Sequence, residues 1–324
     1  MFLNSSKLLF LVFMTVGVMI SFSCSSWIMI WSGMEVFLLS FIPYFCNFSF
    51  VSSESSMKYF LVQGLSSSIF LFSIFFLVIS ENFLMKSFFC FSLLLKLGCA
   101  PFHSWVIGVI PGMSYDSLFI FLTFSSLPPL FLLTYISFNL SFFVSLSLLF
   151  GSVGGLNCTS LKKILGFSSI FNLGFIIYLS CFFSLLSVYF FVYSFMLFFL
   201  VLFLFLYKID YLNQLFLSGL SYFSSFSFWI IFLSLGGMPP MLGFFIKMFC
   251  LEFCLMNSDF VISSFMVFFS LVVMFFYMRC FFVCLLVYFY MMKWNFSMNF
   301  ISLNFFSFLS FFLFPFLFLI SGLV

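Results

Sequence analysis

Runs of about 20 mostly apolar residues follow one another along the whole chain, and this pattern restricts the folds open to it. Of the 324 residues, 66% are hydrophobic, 67 are Phe and only 5% are charged. A water-soluble domain carries about 25% charged residues, far more than this chain. Because the runs are continuous rather than alternating at every second residue, they argue against a β-barrel. We therefore predict an all-α polytopic membrane protein.

The runs divide best into eleven spans within one membrane domain, residues 1–324. The fourth and the ninth are longer than a straight crossing needs and contain proline and glycine in mid-run. We therefore predict two broken helices. The predicted spans are residues 7–22, 27–45, 58–79, 83–110, 117–136, 140–156, 161–180, 185–207, 226–256, 261–290 and 302–322.

The spacing of the broken helices indicates an internal duplication. Spans one to five and six to ten would form two five-helix units, and an odd number of spans makes such units run in opposite directions. In each unit the fourth member is the interrupted helix. The pattern therefore predicts two inverted five-helix repeats.

The lysines fall mainly on one side of the predicted spans. Positively charged loops remain on the side from which a chain is inserted, so the N-terminus should face that compartment and the C-terminus the opposite one. The opposite side collects only Lys86. The lysines on the N-terminal side are Lys7, Lys58, Lys162, Lys163, Lys208 and Lys293.

No constellation for redox, metal or nucleotide chemistry is present in the sequence. The ten cysteines include no CxxC pair, and the chain has a single histidine, His103. There is no Walker loop and no Ser/His/Asp candidate. We therefore predict no metal, no cofactor and no nucleic-acid partner, with lipid around the spans. Any redox chemistry would lie on partner chains.

Apart from the loop charges, five charged residues lie inside the predicted helices, and three of them are the candidate functional residues: Glu35, Lys96 and Lys247. A charge at mid-bilayer costs about 2.5–3.5 kcal/mol on insertion scales, so such residues normally face a bundle interior. A packing role for Glu35 and snorkelling of Lys96 to the interface are the alternatives. Glu252 and Arg279 lie nearer span ends, which favours interfacial contacts.

Each candidate lysine adjoins a helix-breaking motif. Lys96 precedes Pro101 and His103, and Lys247 follows the Gly-Gly-Met-Pro-Pro run that contains Pro239 and Pro240. Prolines withhold backbone donors, so freed carbonyls and helix ends at these breaks can hold water or polarise a lysine. His103 is predicted to support Lys96, with a structural role as the alternative.

Five ordered motifs resemble NADH-ubiquinone oxidoreductase chain 2, the antiporter-like membrane subunit of mitochondrial complex I. The motifs are Trp31-Ser-Gly-Met-Glu35 with Phe41-Ile-Pro43, Lys58-Tyr-Phe-Leu-Val-Gln63, Lys96-Leu-Gly-Cys-Ala-Pro-Phe-His-Ser-Trp105, Leu161-Lys-Lys-Ile-Leu-Gly-Phe-Ser-Ser-Ile170 and Ser234-Leu-Gly-Gly-Met-Pro-Pro-Met-Leu-Gly-Phe-Phe-Ile-Lys247.

The resemblance implies proton translocation driven by quinone reduction in other subunits, which would carry the flavin, iron–sulfur clusters and quinone. It implies that Glu35 and Lys96 form an ion pair whose opening frees a proton, and that Lys247 serves the exit side or onward coupling. It also implies a mitochondrial inner-membrane location, other complex I membrane subunits as partners, and an N-terminus on the matrix side.

The chain departs from the family pattern at three positions. Ser126 stands where a central lysine is usual, Asn172 where a histidine is expected, and Gly108 where a glutamate is usual. Loss of the central lysine removes one station of a relay between Lys96 and Lys247, unless water held by serines bridges it. A structural subunit that transmits conformational change and a stand-alone cation/proton antiporter are therefore the alternative functions.

Overall fold

A computed structural model describes residues 5–46, 49–79, 83–136, 138–217, 222–239 and 241–290. These residues form helices and short turns, with one isolated bridge between Ser160 and Tyr211 and no strand among them. The all-α prediction is thus confirmed. The eleventh predicted span, Lys293 and Pro240 lie outside the described residues.

Seven helical stretches within the described ranges are long and apolar enough to cross a membrane, and one of them, Tyr115–Leu133, consists of two helices. Two shorter apolar helical stretches accompany them, Ser141–Leu156 and Ser227–Gly236. The count of eleven spans stays a prediction. The helices are α1 (Ser5–Ser23), α2 (Trp27–Phe45), α3 (Phe50–Ile79), α4 (Phe83–Leu97), α5 (Ser104–Val109), α6 (Tyr115–Thr123), α7 (Leu127–Leu133), α8 (Ser141–Leu156), α9 (Leu161–Tyr178), α10 (Phe183–Tyr207), α11 (Leu212–Leu217), α12 (Tyr222–Gly236), α13 (Leu242–Met256) and α14 (Phe260–Tyr290).

Helix α3 begins at Phe50, eight residues before the predicted start of the third span. The predicted spans leave the serine-rich residues before residue 58 outside a helix, and from Phe50 onward that prediction is wrong. The Ser53 hydroxyl donates to the Phe50 carbonyl at 2.8 Å, and Ser56 donates to Ser53 at 2.7 Å. Serines that bond to carbonyls of their own helix satisfy their hydroxyls there, so a polar sequence can remain helical.

The fifth predicted span is interrupted, which adds a third broken helix to the two expected. It forms α6 and α7, which are separated by residues 124–126. Pro128 and Pro129 have no N–H with which to bond the carbonyls four residues earlier, Phe124 and Ser125, so the helix cannot continue through this point.

The chain divides into two compact units. The first comprises Met1–Ser147 and Ile176–Phe183, and the second Leu148–Phe175 and Ser184–Val324. Aromatic rings fill the first unit around Tyr59, whose centroid lies 5.2 Å from that of Phe41. Each unit contains one of the two candidate lysines beside a broken helix. The inverted relation between two repeats stays a prediction.

Candidate functional site

Lys96 lies in the last turn of α4, directly before the first helix break. Gly98 ends this helix with a φ of +67°, a left-handed conformation that glycine adopts readily. Its N–H donates to the carbonyls of Leu94 and Leu95 at 3.0 and 3.1 Å. A Cβ at Gly98 would stand 2.1 Å from the Val106 side chain, so α5 also needs glycine here for its close approach. The break is therefore built into the sequence around Lys96.

The Lys96 side chain is buried, with only 7% of its surface exposed. Its ammonium lies 3.7 Å from the Met34 sulfur and 5.6 Å from the centre of the Phe70 ring. The Gln63 side chain donates to the backbone carbonyl of Lys96 at 3.2 Å. A thioether is a weak acceptor, so these protein contacts do not fully satisfy the three ammonium donors.

Glu35 follows Met34 on α2, and its Oε1 is buried without a hydrogen-bond partner. The expected ion pair with Lys96 is not formed, since the ion pairs in the described part of the chain are Lys58–Glu54 and Lys162–Asp210. Neighbouring residues on a helix point about 100° apart, so Met34 rather than Glu35 is directed at the ammonium. Glu35 still acts on Lys96 electrostatically across the longer distance.

A cavity of about 20 Å³ adjoins Lys96. This volume is enough for one water, which needs about 10–15 Å³ by the same measure. The walls offer a buried ammonium, an amide, a phenol and a hydroxyl, and a water requires two to four such polar partners. The cavity is lined by Met34, Phe37, Leu38, Tyr59, Gln63, Lys96, Ser125, Pro128 and Pro129.

The cavity connects Lys96 with the third helix break. Ser125 lines it, whereas Ser126, the residue singled out from the sequence, does not. The Ser126 hydroxyl is buried and bonds to the carbonyls of Leu122 and Thr123 at 3.2 and 2.8 Å. Sequence reasoning found the right segment but missed the break itself, for which the Pro128-Pro129 pair is the available indication.

Replacing Ser125 with valine should exclude water from this cavity. Valine fills the space with methyl groups and removes the hydroxyl, which already bonds to the Phe121 carbonyl of its own helix. We expect a loss of stability of about 1–3 kcal/mol, because the Phe121 carbonyl loses a donor. A structure of the variant should show no ordered water beside the Lys96 ammonium. Ser145→Val on α8, a half-buried serine whose hydroxyl likewise bonds to a carbonyl of its own helix, serves as the control.

His103 does not line the cavity. It precedes α5 as its capping residue, is half-buried and interacts with the backbone of Pro101. Pro101 is exposed and marks the turn between α4 and α5. The structure thus places both residues at the break, without bringing the imidazole to the polar walls around Lys96.

Lys247 lies on α13 and is 6% exposed. Its ammonium donates to the carbonyls of Leu235 and Gly236 at 3.2 and 2.8 Å. These are the last carbonyls of α12, where the helix macrodipole favours a cation. The ring of Phe171 lies 5.4 Å from the same nitrogen. Lys247 is therefore a helix cap as well as a buried charge.

The second break brings α12 and α13 into close approach. Gly237 adopts a φ of +84°, and Pro239 is exposed in the turn. A Cβ at Gly243 would stand 1.7 Å from the Ser234 carbonyl oxygen, so only glycine fits against that backbone. This contact sets the distance at which Lys247 reaches the end of α12.

The other charged residue of interest, Arg279, also caps a helix. Its guanidinium donates to the carbonyl of Leu156, the last residue of α8, and to that of Cys158 at 2.8 Å. The expected interfacial role is therefore accompanied by an internal contact. Glu252 is exposed on α13.

Two departures from the family pattern have different surroundings. Asn172 is buried, and its amide oxygen accepts a hydrogen bond from the Tyr189 hydroxyl at 3.1 Å. Gly108 is exposed, and a side chain there would meet nothing within 4 Å. The buried amide is thus part of the polar interior, whereas the glycine leaves open surface.

The fold and the two lysines define a class of membrane proteins with buried cations at interrupted helices. Residues 76–274 match the family described as NADH:quinone oxidoreductase/Mrp antiporter, transmembrane. Three NADH-ubiquinone oxidoreductase chain 2 proteins are similar over most of their length. That of Anopheles gambiae is 35% identical over 85% of this chain and 84% of its own.

The chain 2 of Artemia franciscana is 36% identical over 74% of this chain and 78% of its own. That of Paracentrotus lividus is 36% identical over 82% of this chain and 81% of its own. This chain belongs to the NADH-ubiquinone oxidoreductase chain 2 family of antiporter-like complex I membrane subunits.

Solved structures share the fold. A chain of respiratory complex I from Thermus thermophilus superposes with a TM-score of 0.79 at 20% identity, covering 87% of this chain and 71% of that one. A chain of the Mrp complex from Dietzia sp. DQ12-45-1b gives a TM-score of 0.70 at 17% identity, covering 84% and 59%. The fold is therefore shared with chains of much lower sequence identity.

Proposed function

We propose that this chain forms a proton-translocating half-channel of complex I, coupled to quinone reduction in other subunits. The observation that carries the proposal is the buried Lys96 ammonium at a water-sized cavity between two helix breaks. A buried ammonium that contacts only weak acceptors is poorly stabilised in its charged form. It can therefore pass its proton to water or to a nearby carboxylate.

Within this proposal the candidate residues have distinct roles. Lys96 holds and releases the proton, and Glu35 governs its charge through the electrostatic interaction described above. Water beside Ser125 carries the proton through the segment where a lysine at position 126 would otherwise carry it. Lys247 holds a second proton at the end of α12.

The surroundings of the chain follow from the same proposal. Its partners are other complex I membrane subunits, and it lies in the mitochondrial inner membrane with the N-terminus on the matrix side. It holds no cofactor of its own, because the flavin, iron–sulfur clusters and quinone belong to partner subunits.

A Lys96→Met substitution tests the proposal. Methionine keeps the length of the side chain but carries no proton, so the complex should lose the whole share of proton pumping that this chain contributes. The measurement is the number of protons moved per NADH oxidised in reconstituted complex. Lys86→Met, near the other end of α4, is the matched control and should change nothing. A normal ratio in Lys96→Met would contradict the proposal.

A second candidate function is transmission of conformational change without proton transfer. Lys247 favours it, since a lysine that caps a helix explains its burial without any proton exchange. Normal proton stoichiometry in both Lys96→Met and Lys247→Met would support this function. Ion exchange by the isolated chain would instead indicate a stand-alone antiporter.

A further inference from the structure

A set of buried hydroxyl and amide groups in the second unit is not used by the lysines described so far. Tyr189, Tyr193 and Tyr277 are 2%, 4% and 1% exposed, and Asn172 and Ser168 are 4% and 1% exposed. Ser168 and Asn172 lie one turn apart on α9, and Tyr189 and Tyr193 lie one turn apart on α10. The two helices therefore present matching polar positions to the same interior.

The groups follow one another in space. The Tyr189 hydroxyl donates to the Asn172 amide oxygen at 3.1 Å. Tyr193 interacts with the same amide and with Tyr277, and Tyr277 interacts with Ser168. At the other end, Cys250 interacts with both Tyr189 and Lys247.

Two members of the set have hydroxyls that are buried without a direct hydrogen bond, those of Tyr193 and Tyr277. They lie close to Asn172 and Ser168 but outside the geometry of a direct bond. Burying an unpaired hydroxyl is costly, and native structures usually satisfy such groups with ordered water. The four polar side chains supply the two to four partners that one internal water requires.

We propose that the hydroxyls of Tyr193, Tyr277 and Ser168, joined by an internal water, form a proton relay in the second unit. It runs from the surroundings of Lys247 toward the N-terminal half of α9, where Lys162 and Lys163 lie. Each of these hydroxyls and the water accepts a proton on its oxygen and releases its own to the next oxygen, so every member returns to its neutral state. The Asn172 amide passes no proton; the Tyr189 hydroxyl that donates to it holds it in place beside Tyr193.

The relay rests on the proposed function of this chain, and the two are tested in one experiment. Complex I is assembled with Tyr193→Phe/Tyr277→Phe, with Lys247→Met, or with Tyr207→Phe as the control on α10. Each Tyr→Phe change keeps the ring and removes only the hydroxyl. Protons moved per NADH oxidised are counted per assembled complex.

We expect the double Phe variant to lose the same share of pumping as Lys247→Met, and Tyr207→Phe to lose none. A normal ratio in the double variant beside a lowered ratio in Lys247→Met would overturn the relay and leave the proposed function standing. Normal ratios in both would overturn the relay together with the role of Lys247.

Thermal stability provides an independent measurement, including for the single Tyr193→Phe and Tyr277→Phe variants. If a water satisfies these hydroxyls, removing either one should lower the dissociation temperature of the complex. If the hydroxyls are unsatisfied, their removal should raise it. A raised temperature in both single variants would therefore contradict the internal water on which the relay depends.

Discussion

Substituting alanine for Gly243 should sharply reduce the amount of assembled complex. The new Cβ would stand 1.7 Å from the Ser234 carbonyl oxygen and 2.8 Å from its carbon, so α12 and α13 must move apart. Overpacking costs about 1–3 kcal/mol where side chains can adjust, and here the obstacle is backbone, so we expect about 3 kcal/mol or more. Native electrophoresis of the complex and its dissociation temperature measure the effect.

Gly108→Ala is the matched control for this substitution, since its Cβ meets nothing within 4 Å. It should assemble as the unaltered chain does. Normal assembly of Gly243→Ala would show that the two helices are not in the contact described, and the capping position of Lys247 would then have to be revised.

The two buried lysines should differ when each is replaced with methionine. Lys247→Met leaves the Leu235 and Gly236 carbonyls without their donor, at a cost of about 1–3 kcal/mol for each buried group. It should therefore lower the dissociation temperature of the complex as well as its proton stoichiometry. Lys96→Met removes a buried charge that lacks a strong acceptor, so it should affect pumping while stability stays equal or rises.

The comparison separates proton transfer from helix capping. Both variants have the same side-chain chemistry, and each is measured for heat dissociation and for protons moved per NADH oxidised. Equal losses of stability in the two variants would contradict the distinct environments described for Lys96 and Lys247.

The class of fold and the positions of the functional segments were predictable from sequence because they depend on local composition. Apolar runs determine where helices cross, and Gly98 or Pro239 interrupts a helix wherever its neighbours lie. The start of α3 was not predictable in this way. A serine-rich sequence is typical of a polar loop, yet these serine hydroxyls donate to carbonyls of their own helix.

Contacts between helices could not be predicted from the sequence. The direction of Glu35 depends on the rotation of α2 about its axis, which places Met34 against Lys96 instead. The partner of Lys247 depends on how the turn after Gly237 folds α13 back onto α12. Resemblance to a family supplied the identities of the residues, and the geometry supplied their partners.

The most direct test of the central claim is a structure of the assembled complex in which ordered waters are visible around Lys96. We expect a water in the cavity within hydrogen-bond distance of the Lys96 ammonium and of a second polar wall group, Ser125 or Gln63. A cavity closed by packed side chains and empty of water would contradict the claim that Lys96 exchanges its proton there.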